Sequence, residues 1–399
     1  MCLMRRLATI GFLAVLPGLS MCCRPVVRKE APAPPEAPRP AFEQIDKIVE
    51  EEIEKGNFPG AVVLAGRQDE ILYWKAFGHQ VIEPNVEPAG KDTIFDLASL
   101  TKPIATAASI MILRDRGAID LDDYVGTYLP AFACNGKQEV RIRHLLTHTS
   151  GLPAYTNADA LKEQFGSPCP EKVIEKICSL EAVSKPGEEF RYSCLGYITL
   201  AKIVETISGK SIDDFSRQNI FAPLGMKHTT YNPPGSWRKD IAGSEVTDGP
   251  LFRGTVHDPL AGLMAGVSGN AGLFSNAYDL SIYCQMLLNG GIYKGKRILS
   301  PEAINLLTTE QAFGRAYGFD IKSSYSSVKG SYAPQEAFCH TGYTGTSIVC
   351  DPASKTFVII LANRVHPKDD GSAKAVRIKV ADAVFSSLHR SPSQDGGSQ

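Results

Sequence analysis

At 399 residues and 43 % hydrophobic content, the chain can bury a large core and has length for more than one domain. Lys+Arg number 42 against Asp+Glu 43, a formal net charge of −1. No basic stripe breaks that balance, so nucleic acid is excluded as an electrostatically bound partner.

The N-terminus reads as an export signal. Arg5 and Arg6 precede an apolar stretch, residues 7–16, that is too short to span a bilayer. Leu19-Ser20-Met21-Cys22 resembles a bacterial lipoprotein cleavage site, with Cys22 as the residue to be lipidated. Met21 departs from the small residue usual before that cysteine, so plain secretion and an uncleaved anchor stay open. Six prolines between residues 24 and 40 describe a semi-extended linker suited to a tethered domain. The expected organisation is a signal over 1–22, a linker over 23–40, one folded domain over 41–390 and a disordered tail over 391–399. The expected location is a membrane-anchored lipoprotein facing the periplasm or exterior, with a soluble exported protein as the alternative.

Phe42, Ile45, Ile48, Val49 and Ile53 recur at helical spacing and predict a first amphipathic helix, ended by Gly56 and Pro59. Residues 60–65 and 71–77, around a turn at Gln68-Asp69, predict a β-hairpin. From about 99 to 310 the pattern is mostly helical. A helix runs from Leu195 through Ile207 to Gly209, and another starts at Ser275 as N-cap and ends at Asn289-Gly290-Gly291. Strand signals return at 337–341, 346–350 and 357–361, and a closing helix covers about 373–388. Strands at both ends with helices between imply an α/β (α+β) fold. One antiparallel sheet is built from N- and C-terminal segments, flanked by helices, with a mostly helical lobe inserted and a cleft between lobe and sheet.

Ser-x-x-Lys occurs three times, at Ser99, Ser236 and Ser326. This spacing puts a hydroxyl and an amine on one helical face. Ser236 follows the turn Pro233-Pro234-Gly235, and Ser326 lies in a polar loop. Only Ser99 opens a long periodic run, with Ile104, Ala108, Met111 and Ile112 on one stripe and Gly117 at its end. A serine hydroxyl is a weak nucleophile, and Lys102 can serve as its base if burial or a nearby cation lowers its pKa. Tyr192-Ser193-Cys194, delivered by a loop just before a helix, can add a second proton-transfer group. His340-Thr341-Gly342 gives a glycine-containing strand edge able to offer backbone N–H groups to an oxyanion. The set implies acyl transfer through a covalent serine intermediate.

These three strings, in this order, resemble those of the serine β-lactamase and penicillin-binding protein superfamily, in its class C branch of β-lactamases, DD-carboxypeptidases and esterases. Residues 119–123, 145–152 and 272–275 also read like that family, and the likeness covers roughly 41–390. The resemblance implies a β-lactamase/transpeptidase-like fold. It implies Ser99 as nucleophile, Lys102 as base and Tyr192 as proton shuttle, with the N–H groups of Ser99 and Tyr343 as the oxyanion hole. Thr341 and Gly342 would line the substrate strand. The family's second motif is usually Tyr-x-Asn; Cys194 here offers a weak donor and a weak acceptor in place of an amide. His340 stands where class C β-lactamases carry lysine, and a His-Thr-Gly motif looks more like some DD-carboxypeptidases. Histidine there could tune Lys102 or donate to a substrate carboxylate.

His148 reads as a buried structural histidine. The loop at 266–272 could line the cleft or be a close-packed turn. Ten cysteines in an exported chain suggest one or two bridges, with no pairing readable from spacing; Cys339 and Cys350 read as small buried hydrophobes. No metal-site pattern, Gly-x-Ser-x-Gly elbow or complete P-loop is present, so no metal or cofactor is expected. The leading expectation is a cell-envelope serine hydrolase acting as a DD-carboxypeptidase on D-amino-acid peptides derived from peptidoglycan. A carboxylesterase, a β-lactamase and a non-catalytic muropeptide-binding lipoprotein remain the alternatives.

Overall fold

The computed structural model describes residues 42–246 and 251–389; the signal, Cys22, the linker and the tail lie outside them. Helix α1 (Glu43–Glu54) turns Ile45 and Val49 inward. Its buried Glu52 accepts from Lys55, Asn57 and Lys379, which ties the first helix to the last. Strands β1 (Gly60–Arg67) and β2 (Glu70–Val81) form the expected hairpin, with Gln68 at φ +54° in the turn. A short edge strand, β3 (Glu87–Pro88), pairs with β2.

The nucleophile segment and helix α2 (Ala108–Asp115) lead into the lobe, whose longest helix is α3 (Cys194–Ser208). Ser193 caps α3 by accepting from Gly196 N, and Gly209 ends it at φ +68°. Helix α4 (Ala277–Leu288) is capped by Asn276 and not by Ser275 as expected. Ser275 instead pairs with Phe95, and its hydroxyl bonds Thr229 at 2.7 Å. The middle is mostly helical, as expected, with short strands among the helices. Phe95–Asp96, Leu273–Ser275 and Thr230–Tyr231 make a small sheet that holds the segment entering Ser99.

Strands β4 (Phe338–Thr341), β5 (Ser347–Asp351) and β6 (Thr356–Ala362) then complete a six-stranded antiparallel sheet in the order β3-β2-β1-β6-β5-β4. Helix α5 (Lys374–His389) closes the chain. The two ends meet where Val63 pairs with Ile360. Period-2 alternation divides the central strands between two cores. Val62, Leu64, Ile359 and Leu361 face the helical lobe. Ala61, Val63, Val358 and Ile360 face α1 and α5. Each fully buried Val, Leu or Ile is worth about 1.5–3 kcal/mol, so layers on both faces hold the sheet that carries the third motif.

The same alternation bears out the reading of Cys339 and Cys350 as small buried hydrophobes, whereas the one or two expected bridges are not found among the described residues. Cys339 and Cys350 lie in cores on opposite faces of the sheet, where their thiols cannot meet. All seven cysteines among the described residues are free.

Candidate active site

Between Thr93 and Leu113 every residue is buried except Ser99. The backbone reaches it under constraint. Asp96 accepts from Ala98 N and from His257 N, each at 2.8 Å, and Ala98 takes a left-handed φ of +46°, uncommon for a residue with a Cβ. Ser99 sits in a 3-10 turn, Ala98–Leu100, followed by a π-helical stretch, Lys102–Ala107, before α2 begins. The expected uniform helix is therefore three tighter and wider turns in sequence, a pattern that recurs at functional sites. Lys102, fully buried, donates from Nζ to Ser99 Oγ at 3.0 Å, to the carbonyl of Asn270 at 2.9 Å and to Cys194 Sγ at 3.5 Å.

Tyr192 and Cys194 arrive from the entry to α3. The Tyr192 ring stacks on His148 with centroids 4.3 Å apart and lies 5.0 Å from Lys102 Nζ. His148 is held at φ +59°, and its Nδ1 accepts from Ser193 N at 3.0 Å. It is buried, as expected, but not fully satisfied, since its Nε2 has no partner. The 266–272 loop does both things expected of it. A Cβ on Gly269 would strike the Tyr197 carbonyl at 2.0 Å, and Asn270 reaches the site.

The charge pattern differs from the expectation of a lysine simply lowered by burial. Burial acts downward on Lys102, but attraction from Cys194 and Tyr192 as they ionise outweighs it, and the ammonium lies above its ordinary value. Burial in turn pushes the Cys194 thiol and the Tyr192 phenol up, against the pull of Lys102, so both are protonated at neutral pH. The three groups titrate as a set. Of the influences on Lys102, desolvation alone favours the free amine.

His340, on β4, corrects a second expectation. Burial, with Arg315 and Lys102 nearby, holds it well below the ordinary histidine range, so it is uncharged. Its Nδ1 donates to Thr341 O at 3.0 Å, which leaves Nε2 as a buried acceptor without a partner. It cannot serve as a cationic donor to a carboxylate. Gly342 is explained by close approach: a Cβ there would sit 2.1 Å from Thr346 Oγ1 and 2.4 Å from the Leu97 carbonyl. Thr344 Oγ1 donates to Asp96 O at 2.7 Å and Thr346 Oγ1 to Leu97 O at 3.0 Å, which pins this turn beside Ser99. Among the described residues, the N–H groups of Ser99 and Tyr343 have no protein acceptor. The Tyr343 side chain turns outward and donates to Asp369 at 2.6 Å.

Ser99 and Cys194 thus meet at Lys102, the Tyr192 ring lies beside the same amine, and Thr341, Gly342 and Tyr343 stand on the adjoining sheet edge. Sequence reading missed Asp96 and Arg315. Arg315 is fully buried, pairs with Asp320 and lies 5.9 Å from the Tyr192 ring. It left no local signal, because the contact spans more than a hundred residues.

The sequence profile of the Beta-lactamase family matches residues 45–383. The chain belongs to the Beta-lactamase family. Like other members it is a serine hydrolase. A relative from Escherichia coli (strain K12), provisionally named a D-alanyl-D-alanine carboxypeptidase, is 31 % identical over 400 aligned residues and 91 % of each chain. One from Bacillus subtilis (strain 168), named an N-acetylmuramyl-L-alanine amidase, is 34 % identical over 359 residues and 81 % of each chain. Among solved structures, an octameric penicillin-binding protein homologue from Pyrococcus abyssi is 26 % identical. That match has a TM-score of 0.69 and covers 89 % of this chain and 79 % of that one.

Proposed function

We propose that the protein is a DD-carboxypeptidase of the cell envelope, hydrolysing D-amino-acid peptides derived from peptidoglycan through an acyl-Ser99 intermediate. The observation that carries the reading is the half-buried Ser99 hydroxyl, 3.0 Å from the amine of a buried lysine that also lies 5.0 Å from the ring of a second proton carrier, Tyr192. With Tyr192 and Cys194 protonated, Lys102 takes the Ser99 proton as Oγ attacks the scissile carbonyl. The oxygen anion forms between the free N–H groups of Ser99 and Tyr343. Tyr192 passes a proton to the departing amine, and Lys102 restores it. Water then enters where the amine left and reverses the sequence.

The peptide preference draws on the His340-Thr341-Gly342 motif and on the names of the two relatives. The envelope location and the Cys22 anchor draw on the N-terminal sequence alone. A second reading, a carboxylesterase, is favoured by Cys194, since an ester asks for less amide recognition than a peptide.

The test is turnover of a peptide ending in D-Ala-D-Ala, a short-chain aryl ester and a β-lactam by the purified protein. The peptide should give the highest kcat/KM. Turnover of the ester alone would support the esterase, and fast β-lactam hydrolysis a β-lactamase. No turnover and no fluorophosphonate labelling of Ser99 would leave a binding protein. In a bacterial host, a palmitate analogue should label Cys22; an unlabelled, freely soluble product would overturn the anchor.

A further inference from the structure

Resting on that reading, we propose that Arg377 is a positioning residue for the oxyanion site, gripping the carbonyl of the same peptide unit whose N–H faces the reacting oxygen. Arg377 stands on α5 and reaches the turn after β4. Its Nη2 donates to Gly342 O at 2.8 Å and to Thr346 O at 3.0 Å. Thr346 O also accepts from Gly342 N at 2.7 Å, and Gly342 O from Gly345 N at 3.2 Å, so one guanidinium nitrogen closes the whole turn.

The peptide plane supplies the consequence. Gly342 C=O and Tyr343 N–H belong to one trans amide and point in opposite directions. Fixing the carbonyl toward α5 fixes the N–H away from it. The other side of the turn is held against the nucleophile segment by Thr344 on Asp96 O and Thr346 on Leu97 O. The threonines set the distance to Ser99, and Arg377 sets the direction of the N–H. A charge-assisted bond to the carbonyl also polarises the amide and makes its N–H a stronger donor.

Arg377 is costly to keep. Among the described residues no carboxylate pairs with it, and its Nε is buried without a partner. Burial, with Arg364 nearby, brings it down to about 10. A half-buried cation without a counter-ion is poor value as packing; here its Nη2 goes to two carbonyls of the turn beside Ser99.

The test is Arg377→Met, which keeps the apolar stem, read by kinetics and by binding of an arylboronic acid. The boronate adduct on Ser99 puts an oxygen anion where the tetrahedral intermediate has one. Losing a whole oxyanion donor costs about 10²–10³-fold, so misdirecting one should lower kcat by about 10- to 10²-fold with KM nearly constant. Boronate affinity should fall by the same factor, and Arg377→Lys should recover part of both. A folded Arg377→Met with wild-type kcat and boronate affinity overturns the inference alone. A wild-type protein that forms no Ser99 boronate adduct overturns the acyl-transfer reading and this inference together. If Arg377→Met does not fold, Arg377→Gln, which keeps a donor without the charge, carries the test; unchanged boronate affinity there overturns the inference.

Discussion

Lys102 and Lys329 each end a Ser-x-x-Lys string, and each is buried, yet they do opposite things. Lys329 donates to three backbone carbonyls, Ile321 O at 2.7 Å, Ala337 O at 2.8 Å and Gln335 O at 3.1 Å. Its partner serine, Ser326, turns away to Ser323 O. Lys102 gives only one bond to a carbonyl; its other partners, Ser99 Oγ and Cys194 Sγ, carry protons of their own. Burial lowers Lys329, whereas ionisable neighbours reverse that sign at Lys102. The spacing is equal. What separates a staple from a base is whether the groups around the amine can exchange a proton with it.

The comparison breaks most sharply at the serines. Ser99→Ala should abolish turnover and covalent labelling, while Ser326→Ala should leave both at wild-type levels. Retained labelling in Ser99→Ala would remove the nucleophile assigned here.

The lysines should separate by kind of effect. Lys102→Met should slow acylation at least about 10²-fold, the usual scale for a positioned base, measured by the pre-steady-state rate of labelling. Lys329→Met strands buried carbonyls and should lower stability by about 2–4 kcal/mol in urea unfolding, with kcat within a few-fold of wild type. A modest rise in KM is also expected, because the segment held by Lys329 carries Tyr325, whose ring packs 5.2 Å from that of Tyr192. If Lys329→Met lost activity as deeply as Lys102→Met while staying fully folded, the contrast would fail.

Acid sharpens the same contrast through neutral groups. His148 and His340 flank Tyr192 and are held far below the ordinary value by burial and by the charges of Arg315 and Lys102, with Arg377 adding to His340. Below about pH 6.5 the unfolded chain takes up protons at these positions that the folded chain does not. Stability therefore falls as pH falls, by up to about 1.4 kcal/mol per pH unit for each histidine. A Tm series from pH 8 to 5 should decline below 6.5. The slope should flatten in His148→Asn, since asparagine tolerates the left-handed backbone and can accept from Ser193 N. A flat wild-type series would contradict the neutral assignments.

The sheet was legible because β1 and β6 are apolar runs that bury both faces, and that pattern survives any lobe placed between them. Ser99 was legible because a periodic run follows it. Three kinds of feature were not. Backbone partners leave no residue signature: Asn270 serves Lys102 through its carbonyl, and Gly342 is needed for contacts with Leu97 and Thr346. Ser275 and Asn276 are equally good caps in sequence, and only pairing of Ser275 with Phe95 decides between them. The sign of a titration shift depends on tertiary neighbours, which is why Lys102 and His340 both differed from expectation.

The smallest expected effect lies between the two lysine environments, at the thiol that Lys102 has and Lys329 lacks. Cys194 is half-buried, with Sγ 3.5 Å from Lys102 Nζ, so it faces the catalytic lysine. Cys194→Asn would place an amide donor and acceptor at the position where the family carries one. Asparagine does not ionise, so the variant also removes one of the groups that hold the Lys102 ammonium up. A hydrogen bond to an uncharged substrate group is worth about 0.5–1.5 kcal/mol, so the ratio of amide to ester turnover should rise roughly 2- to 10-fold. The lost thiol should also move the acid limb of the pH–rate profile, set by loss of the Lys102 proton, to lower pH, since the amine no longer gains from a nearby thiolate. A ratio and a profile that both stay at wild type, with Ser99 still reactive, would mean that Cys194 neither meets substrate nor tunes Lys102, and the esterase reading would lose its physical basis.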